Sequence, residues 1–168
     1  MKLWNKEDNL NIKIEKFTVG KDRHYDLYLA EYDIKATIAH AKMLHNIKIL
    51  TRTELGNIIS ELKIIDNNIK IGKFTIEDDY EDVHSKIESI LVEKLGKIGK
   101  KIHTGRSRND QVLVATQLYL KNEICEIKLL TKSLFTSLIK LARSAPAKPG
   151  VPLARVLIFT SESVIIFL

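Results

Sequence analysis

The residues best suited to chemistry lie in one short run, His103-Thr104-Gly105-Arg106-Ser107-Arg108-Asn109-Asp110-Gln111. Nine consecutive positions there are polar or tiny, while both flanks are apolar and periodic. The chain carries 6 Arg against 21 Lys, yet Arg106 and Arg108 both fall in this run. A guanidinium offers planar, paired donors that match a carboxylate or phosphate, whereas an ammonium is a compact point charge. The guest that such a run selects is an anion. Ser107 and Asp110 have capping-box spacing ahead of a strongly helical stretch, so a helix begins here. Its first turn presents unpaired N–H groups and the positive end of the helix dipole, and Gly105 lets backbone approach a ligand closely. The plainer alternative is that Ser107 and Asp110 only cap a helix, with both arginines in surface ion pairs worth roughly 0 to 1 kcal/mol.

The elements that position this run read as all-α. Residues 26 to 46 carry apolar side chains at helical spacing, and Thr51 to Glu54 forms a capping box that opens a helix through about Ile65. Asp66-Asn67-Asn68 and Gly72 punctuate the chain before a further helix at about 79 to 95, ended by Gly96. Gly96 and Gly99 both read as helix stops. From Asn109 to Ser144 there is neither Gly nor Pro, and Leu120, Ile124, Ile127, Leu130, Leu134, Leu138 and Leu141 recur at gaps of three and four. At about 1.5 Å per residue that helix runs roughly 50 Å, longer than a small domain is wide, so its stripe needs partners. A long amphipathic helix of an unrelated coiled coil explains the stripe but not the run before it.

The segment His103 to Val112, HTGRSRNDQV, resembles the first signature of the argininosuccinate lyase family, within the aspartase and fumarase superfamily. Upstream, EDVHSKIE at Glu81 to Glu88 is similar to the acidic-acidic-apolar-His stretch of that family. Leu3-Trp4, Tyr25 to Ile34 and Ile38 to Leu44 resemble its opening, so the likeness covers roughly residues 1 to 143. The resemblance implies β-elimination of argininosuccinate to arginine and fumarate, in arginine biosynthesis, without metal or organic cofactor. That substrate carries carboxylates and a guanidinium-like group, and so needs anion donors as well as acidic partners. By motif position the substrate-binding residues are Arg108, Asn109, Thr104, Ser107 and Gln111, with Arg106, His103, His84 and Asp26 at matching positions. Asp26 lacks the serine that the family often has four residues earlier, since this chain has Asp22 there. His24, His40 and His45 match nothing and read as partly exposed helix residues. A histidine beside a helix is commonly structural, and that alternative stays open for His84 and His103.

The family's acid and base groups come from two later signatures, Gly-Tyr-Thr-His-Leu-Gln and a mobile Ser-Ser-x-Met-Pro-x-Lys-x-Asn-Pro loop. Neither occurs in these 168 residues, so no catalytic residue is assigned. After Arg143 the sequence SAPAKPGVPLARVLIFTSESVIIFL departs from the family, and only Pro149-Gly150 agrees. The expectation is a truncated lyase chain whose tail arises from a frameshift or a recombined or misassembled gene end, with a natural short paralogue as the second reading. Alone it should show no turnover and should self-associate through tail and stripe. The alternative is a catalytically inactive, lyase-like helical subunit with a binding or structural role. The division expected is an N-terminal helical domain over 1-107, the first long helix of a central bundle over 108-144, and a non-family tail over 145-168. The resemblance further implies a homotetramer built on a central helical bundle.

Composition bounds the rest. With 45% hydrophobic and 29% charged residues the chain is ordinary for a soluble protein. The start MKLWNK lacks the apolar run of a signal peptide, and Cys125 alone makes no internal disulfide, so the cytoplasm is expected. Residues 151 to 168 are too interrupted for a membrane span. The net charge of +6 raises nucleic acid as a partner, but the lysines are interleaved with acids and form no basic stripe with stacking aromatics. Lys94 to Lys101 reads as cations at a helix end. No His and carboxylate spacing suggests a metal site.

Overall fold

The computed structural model describes residues 21–144, all of them helix, turn or loop, with no strand among them. Leu3-Trp4 and the tail from residue 145 lie outside the described residues. Helix α1 spans Asp22–Asn46, α2 Arg52–Lys70 and α3 Val83–Leu95. A single turn α4, Lys97–Lys100, and a 3-10 turn, Lys101–His103, lead to α5, Arg108–Ser144. The chain divides into two compact units after Leu120.

In the first unit α1, α2 and α3 pack pairwise against one another. Their buried positions repeat at helical spacing: Ala30, Ile34, Ala41 and Leu44 on α1, Ile58, Leu62 and Ile65 on α2, and Val83, Ile87 and Leu91 on α3. Leu50 and Ile102 close the ends of this core. Each fully buried leucine or isoleucine contributes on the order of 1.5–3 kcal/mol. Asp33 and Thr37 of α1 and His84 of α3 are the exceptions on these inner faces, polar yet buried.

Helix ends follow local chemistry. The Thr51 hydroxyl accepts from the Glu54 amide at 3.2 Å while the Glu54 carboxylate accepts from the Thr51 amide at 2.8 Å, so the expected capping box opens α2. The helix then runs past Ile65 to Lys70, through the Asp66-Asn67-Asn68 segment read from sequence as a loop. The reason is that Lys70 Nζ reaches Asp66 Oδ2 at 2.6 Å, an i,i+4 pair worth about 0.2–0.5 kcal/mol, and Ile69 packs on the core. Gly72, at φ 70, turns the chain out of the helix. Arg23 holds the loop that follows, donating to the Asp78 and Tyr80 carbonyls and the Asp78 carboxylate at 2.8 to 2.9 Å. Helix α3 starts at Val83 rather than 79, where the Asp82 carboxylate accepts from the Ser85 amide. Gly96 (φ 58, ψ -125) ends α3 as expected. Gly99 is no stop: it lies inside α4, buried against the backbone of Leu91.

Lys101 Nζ bonds Glu54 Oε1 at 2.6 Å and so ties the 3-10 turn to the start of α2. That ammonium, with the Thr51 amide, holds the Glu54 carboxyl down to about 2 from 4.5. The folded pKa is depressed, so the contribution is present above pH 4.5 and is lost as pH falls toward 2. Thermal midpoints followed down this window should converge for wild type and Glu54→Gln, with wild type the more stable at pH 6. A difference that persists unchanged at pH 2 would contradict this account.

Helix α5 is continuous over 37 residues, as its unbroken stripe requires. Within the first unit Gln111 and Ala115 are buried, and the Tyr119 ring meets Tyr32 of α1 edge-on at 5.7 Å. In the second unit the described residues continue the helix, and Ile124, Ile127, Leu130, Leu134 and Leu141 are each at least 60% exposed. Thr131, Thr136 and Ser137 bond their own helix carbonyls four residues back. No helix among the described residues is long and apolar enough to cross a membrane.

Candidate functional site

The polar run folds as a tight loop feeding α5. Gly105 takes φ 67, with open space where a Cβ would sit, so glycine is required there for backbone conformation and not for room. The Thr104 amide donates to Lys101 O and the Arg106 amide to His103 O, which closes the turn. Ser107 then caps α5: Asp110 Oδ2 accepts from the Ser107 amide at 2.9 Å and from its hydroxyl at 2.8 Å, and the Asp110 amide returns to Ser107 Oγ. The amide and hydroxyl of Ser107 hold the Asp110 carboxyl below its usual range. His40 of α1 donates from Nε2 to the Thr104 carbonyl at 3.1 Å. Burial, and secondly the charge of Arg106, lower its pKa and favour the neutral ring.

Arg108, the first residue of α5, sits in a set of polar partners. Its Nη1 donates to Gln111 Oε1 at 2.8 Å and its Nη2 to Ser85 Oγ at 3.1 Å. Asp82 Oδ2 lies 3.4 Å from Nε, and Glu88 Oε2 lies 3.7 Å from Nη2. The same Glu88 oxygen is 3.6 Å from His103 Nδ1. Arg108 retains 24% side-chain exposure, so its fork is oriented yet reachable. Thr104, Ser107 and Asn109 are exposed along the same loop and helix start. Residues from α3 and the loop thus put a guanidinium, two carboxylates and a helix N-terminus within a few ångströms.

The remaining expected residues lie elsewhere. Asp26 Oδ2 accepts from the Val83 amide at 3.3 Å and braces the start of α3. Arg106 is turned inward, its side chain 7% exposed, with Nη1 donating to Thr37 Oγ1 at 2.8 Å and Nη2 3.6 Å from Asp33 Oδ1. Burial lowers its pKa, against the charge of Asp33, which raises it. His84 is 1% exposed with Nδ1 2.9 Å from the same Asp33 oxygen. That approach is close but poorly directed, for neither Asp33 oxygen nor His84 Nδ1 makes a well-aligned hydrogen bond. Sequence reasoning did not single out Ser85, Glu88, Asp33 or Thr37. Ser85 and Glu88 lay within the quoted EDVHSKIE stretch, and Asp33 betrays itself as an acid at an apolar position of the α1 period. His24 stacks edge-on with Tyr25 and Tyr28 on an exposed face, and His45 donates to the Leu50 carbonyl. Among the described residues no group of three His, Cys, Asp or Glu is placed to hold a metal ion.

A family model described as lyase matches residues 13–146. The chain belongs to this lyase family. Among curated proteins, the argininosuccinate lyase of Bacteroides thetaiotaomicron is 49% identical over 138 residues, which is 82% of this lyase chain and 31% of that protein. The argininosuccinate lyase of Thermotoga neapolitana is 47% identical over 137 residues, covering 82% of this chain and 34% of the relative. That of Xylella fastidiosa (strain 9a5c) is 44% identical over 133 residues, 79% of this chain and 30% of the relative. The lyase chain spans about a third of the length of these relatives.

Proposed function

We propose that this lyase-family chain supplies the part of an argininosuccinate lyase active site that grips the substrate's carboxylates. The observation that supports the reading is the Arg108 guanidinium, fixed by Ser85 and Gln111 yet still open to solvent, at the start of α5. A carboxylate would take paired bonds from Arg108, with Asn109, Thr104 and the α5 N-terminus as further donors, while Ser107, its N–H and O–H both given to Asp110, shapes the loop. His103 borders this group through Glu88. Asp82 and Glu88 are acids that suit the guanidinium-like end of argininosuccinate, which pairs anions with a cation in one molecule. In β-elimination a proton leaves the carbon beside a carboxylate and the C–N bond breaks to give fumarate. Anchoring that carboxylate orients the proton for removal and stabilises the charge that develops.

A chimera tests this: residues 13–146 replace the matching segment of the Bacteroides thetaiotaomicron argininosuccinate lyase, and fumarate formation from argininosuccinate is followed by ultraviolet absorbance. Turnover is expected. A chimera that assembles as the parent does but forms no fumarate would sink the reading.

We further propose that the chain self-associates along α5, since a stripe this long and uncovered behaves as an interface. Leu130→Lys combined with Leu134→Lys should shift sedimentation velocity toward the monomer while leaving helix content unchanged. Unaltered association in that variant would remove the stripe from the interface.

A further inference from the structure

The least comfortable group in the first unit is the Asp33 carboxylate. It is 1% exposed, and neither oxygen has a well-aligned hydrogen bond. One of those oxygens nevertheless lies near two partners from distant parts of the chain, His84 Nδ1 at 2.9 Å and Arg106 Nη2 at 3.6 Å. Burying an ion pair is a poor way to gain stability, since apolar replacements of the same size are often neutral or better, and registry is the best-attested use of such pairs. Registry of what is answered by the neighbours. His84 precedes Ser85, the hydroxyl that receives Arg108, and follows Asp82, the carboxylate beside Arg108 Nε. Arg106 precedes Ser107 and Arg108 themselves, and is held a second time by Thr37, one turn along α1 from Asp33.

We propose that Asp33 is a positioning residue: it clamps the segment bearing Arg108 and the segment bearing Arg108's partners to the same point on α1. Arg106 and His84 are then the two arms of the clamp and do not touch substrate. This rests on the reading of Arg108 as the carboxylate anchor, and the test separates the two.

The test uses the 168-residue chain as wild type, Asp33→Asn, Arg106→Gln and the double variant. Nitrogen-15 NMR follows the Nε–H signals of Arg108 and of Arg23, whose bond to the Tyr80 carbonyl lies outside the clamp. Amide exchange is followed at Gly105 to Ser107. In Asp33→Asn, loop exchange should rise by roughly 100-fold, as expected when a buried pair loses one partner. The Arg108 signal should collapse while the Arg23 signal and the α2 amides hold. The double variant removes the unpaired charge, so its thermal midpoint should recover toward wild type while the Arg108 signal stays lost. An Arg108 signal that survives in Asp33→Asn, or that returns in the double variant together with the midpoint, overturns the proposal, because Asp33 then serves charge balance only. If Asp33→Asn does not fold, the double variant decides by the same signal. Titrating fumarate into wild type reports separately on Arg108: no shift of its signal counts against the anchor reading, and the clamp is still judged by the variants.

Discussion

In the chimera carrying residues 13–146, Arg108→Lys is expected to lower kcat/KM by about one to two decades. The cause is geometric. Arg108 is held by bonds from Nη1 and Nη2 to Gln111 and Ser85, with Nε facing Asp82, and a single ammonium satisfies only part of that set. It also presents a carboxylate with one point charge in place of a fork. Losing a charge-assisted hydrogen bond costs about 1.5–3 kcal/mol, which sets the size of the effect. Lys128→Arg, the reverse exchange on the outer part of α5, should leave kinetics unchanged, because Lys128 is exposed and remote in sequence from the loop. Equal and near-normal kinetics for both variants would take Arg108 out of the site.

Gly99→Ala should be the most damaging small substitution to stability, lowering it by about 2–3 kcal/mol. A Cβ at Gly99 would stand well inside van der Waals contact with the carbonyl of Leu91 and the amide of Val92, and these backbone atoms cannot swing aside as a side chain would. Relief requires α4 to move off α3, and with it the 3-10 turn that leads into the loop. Gly56→Ala is the matched control. It lies exposed inside α2 with open space around it, so the alanine should stabilise by roughly 0.5–1 kcal/mol. Urea midpoints of the two variants should therefore move in opposite directions. Midpoints that move together would mean that α4 does not pack on α3 as described.

What could be read from the sequence was whatever is encoded over one or two helical turns. The Thr51 and Ser107 caps, the stop at Gly96 and the unbroken α5 each depend on residues three or four apart, and each is found where expected. Boundaries failed where a local signal was outweighed by another. Asp66-Asn67-Asn68 has loop-forming composition, but Lys70 and the packing of Ile69 hold it helical. Gly99 looked like a stop because a glycine chosen for close approach is spelled the same way as one chosen for a left-handed turn. The environment of Arg106 was out of reach for a different reason: its partners Thr37 and Asp33 belong to another helix, and no periodicity links them. A polar signature announces that a site exists without saying which of its charges face the ligand and which face the core.

The span of that link bears on how the chain acquires its site. Arg106 and Thr37 are 69 residues apart, whereas the contacts between α1 and α2, which are successive helices, close short loops. Loop-closure entropy favours the short connections first, so the helical core should form on a fast timescale and the polar loop should dock late. During synthesis, α1 and α2 would emerge and pair while the guanidinium that joins the Asp33 carboxylate had yet to be made. Until then the buried carboxylate has His84 beside it but lacks the cation that Arg106 brings. Docking of the loop that bears Arg108 should then be coupled to the last closure of the core around Asp33.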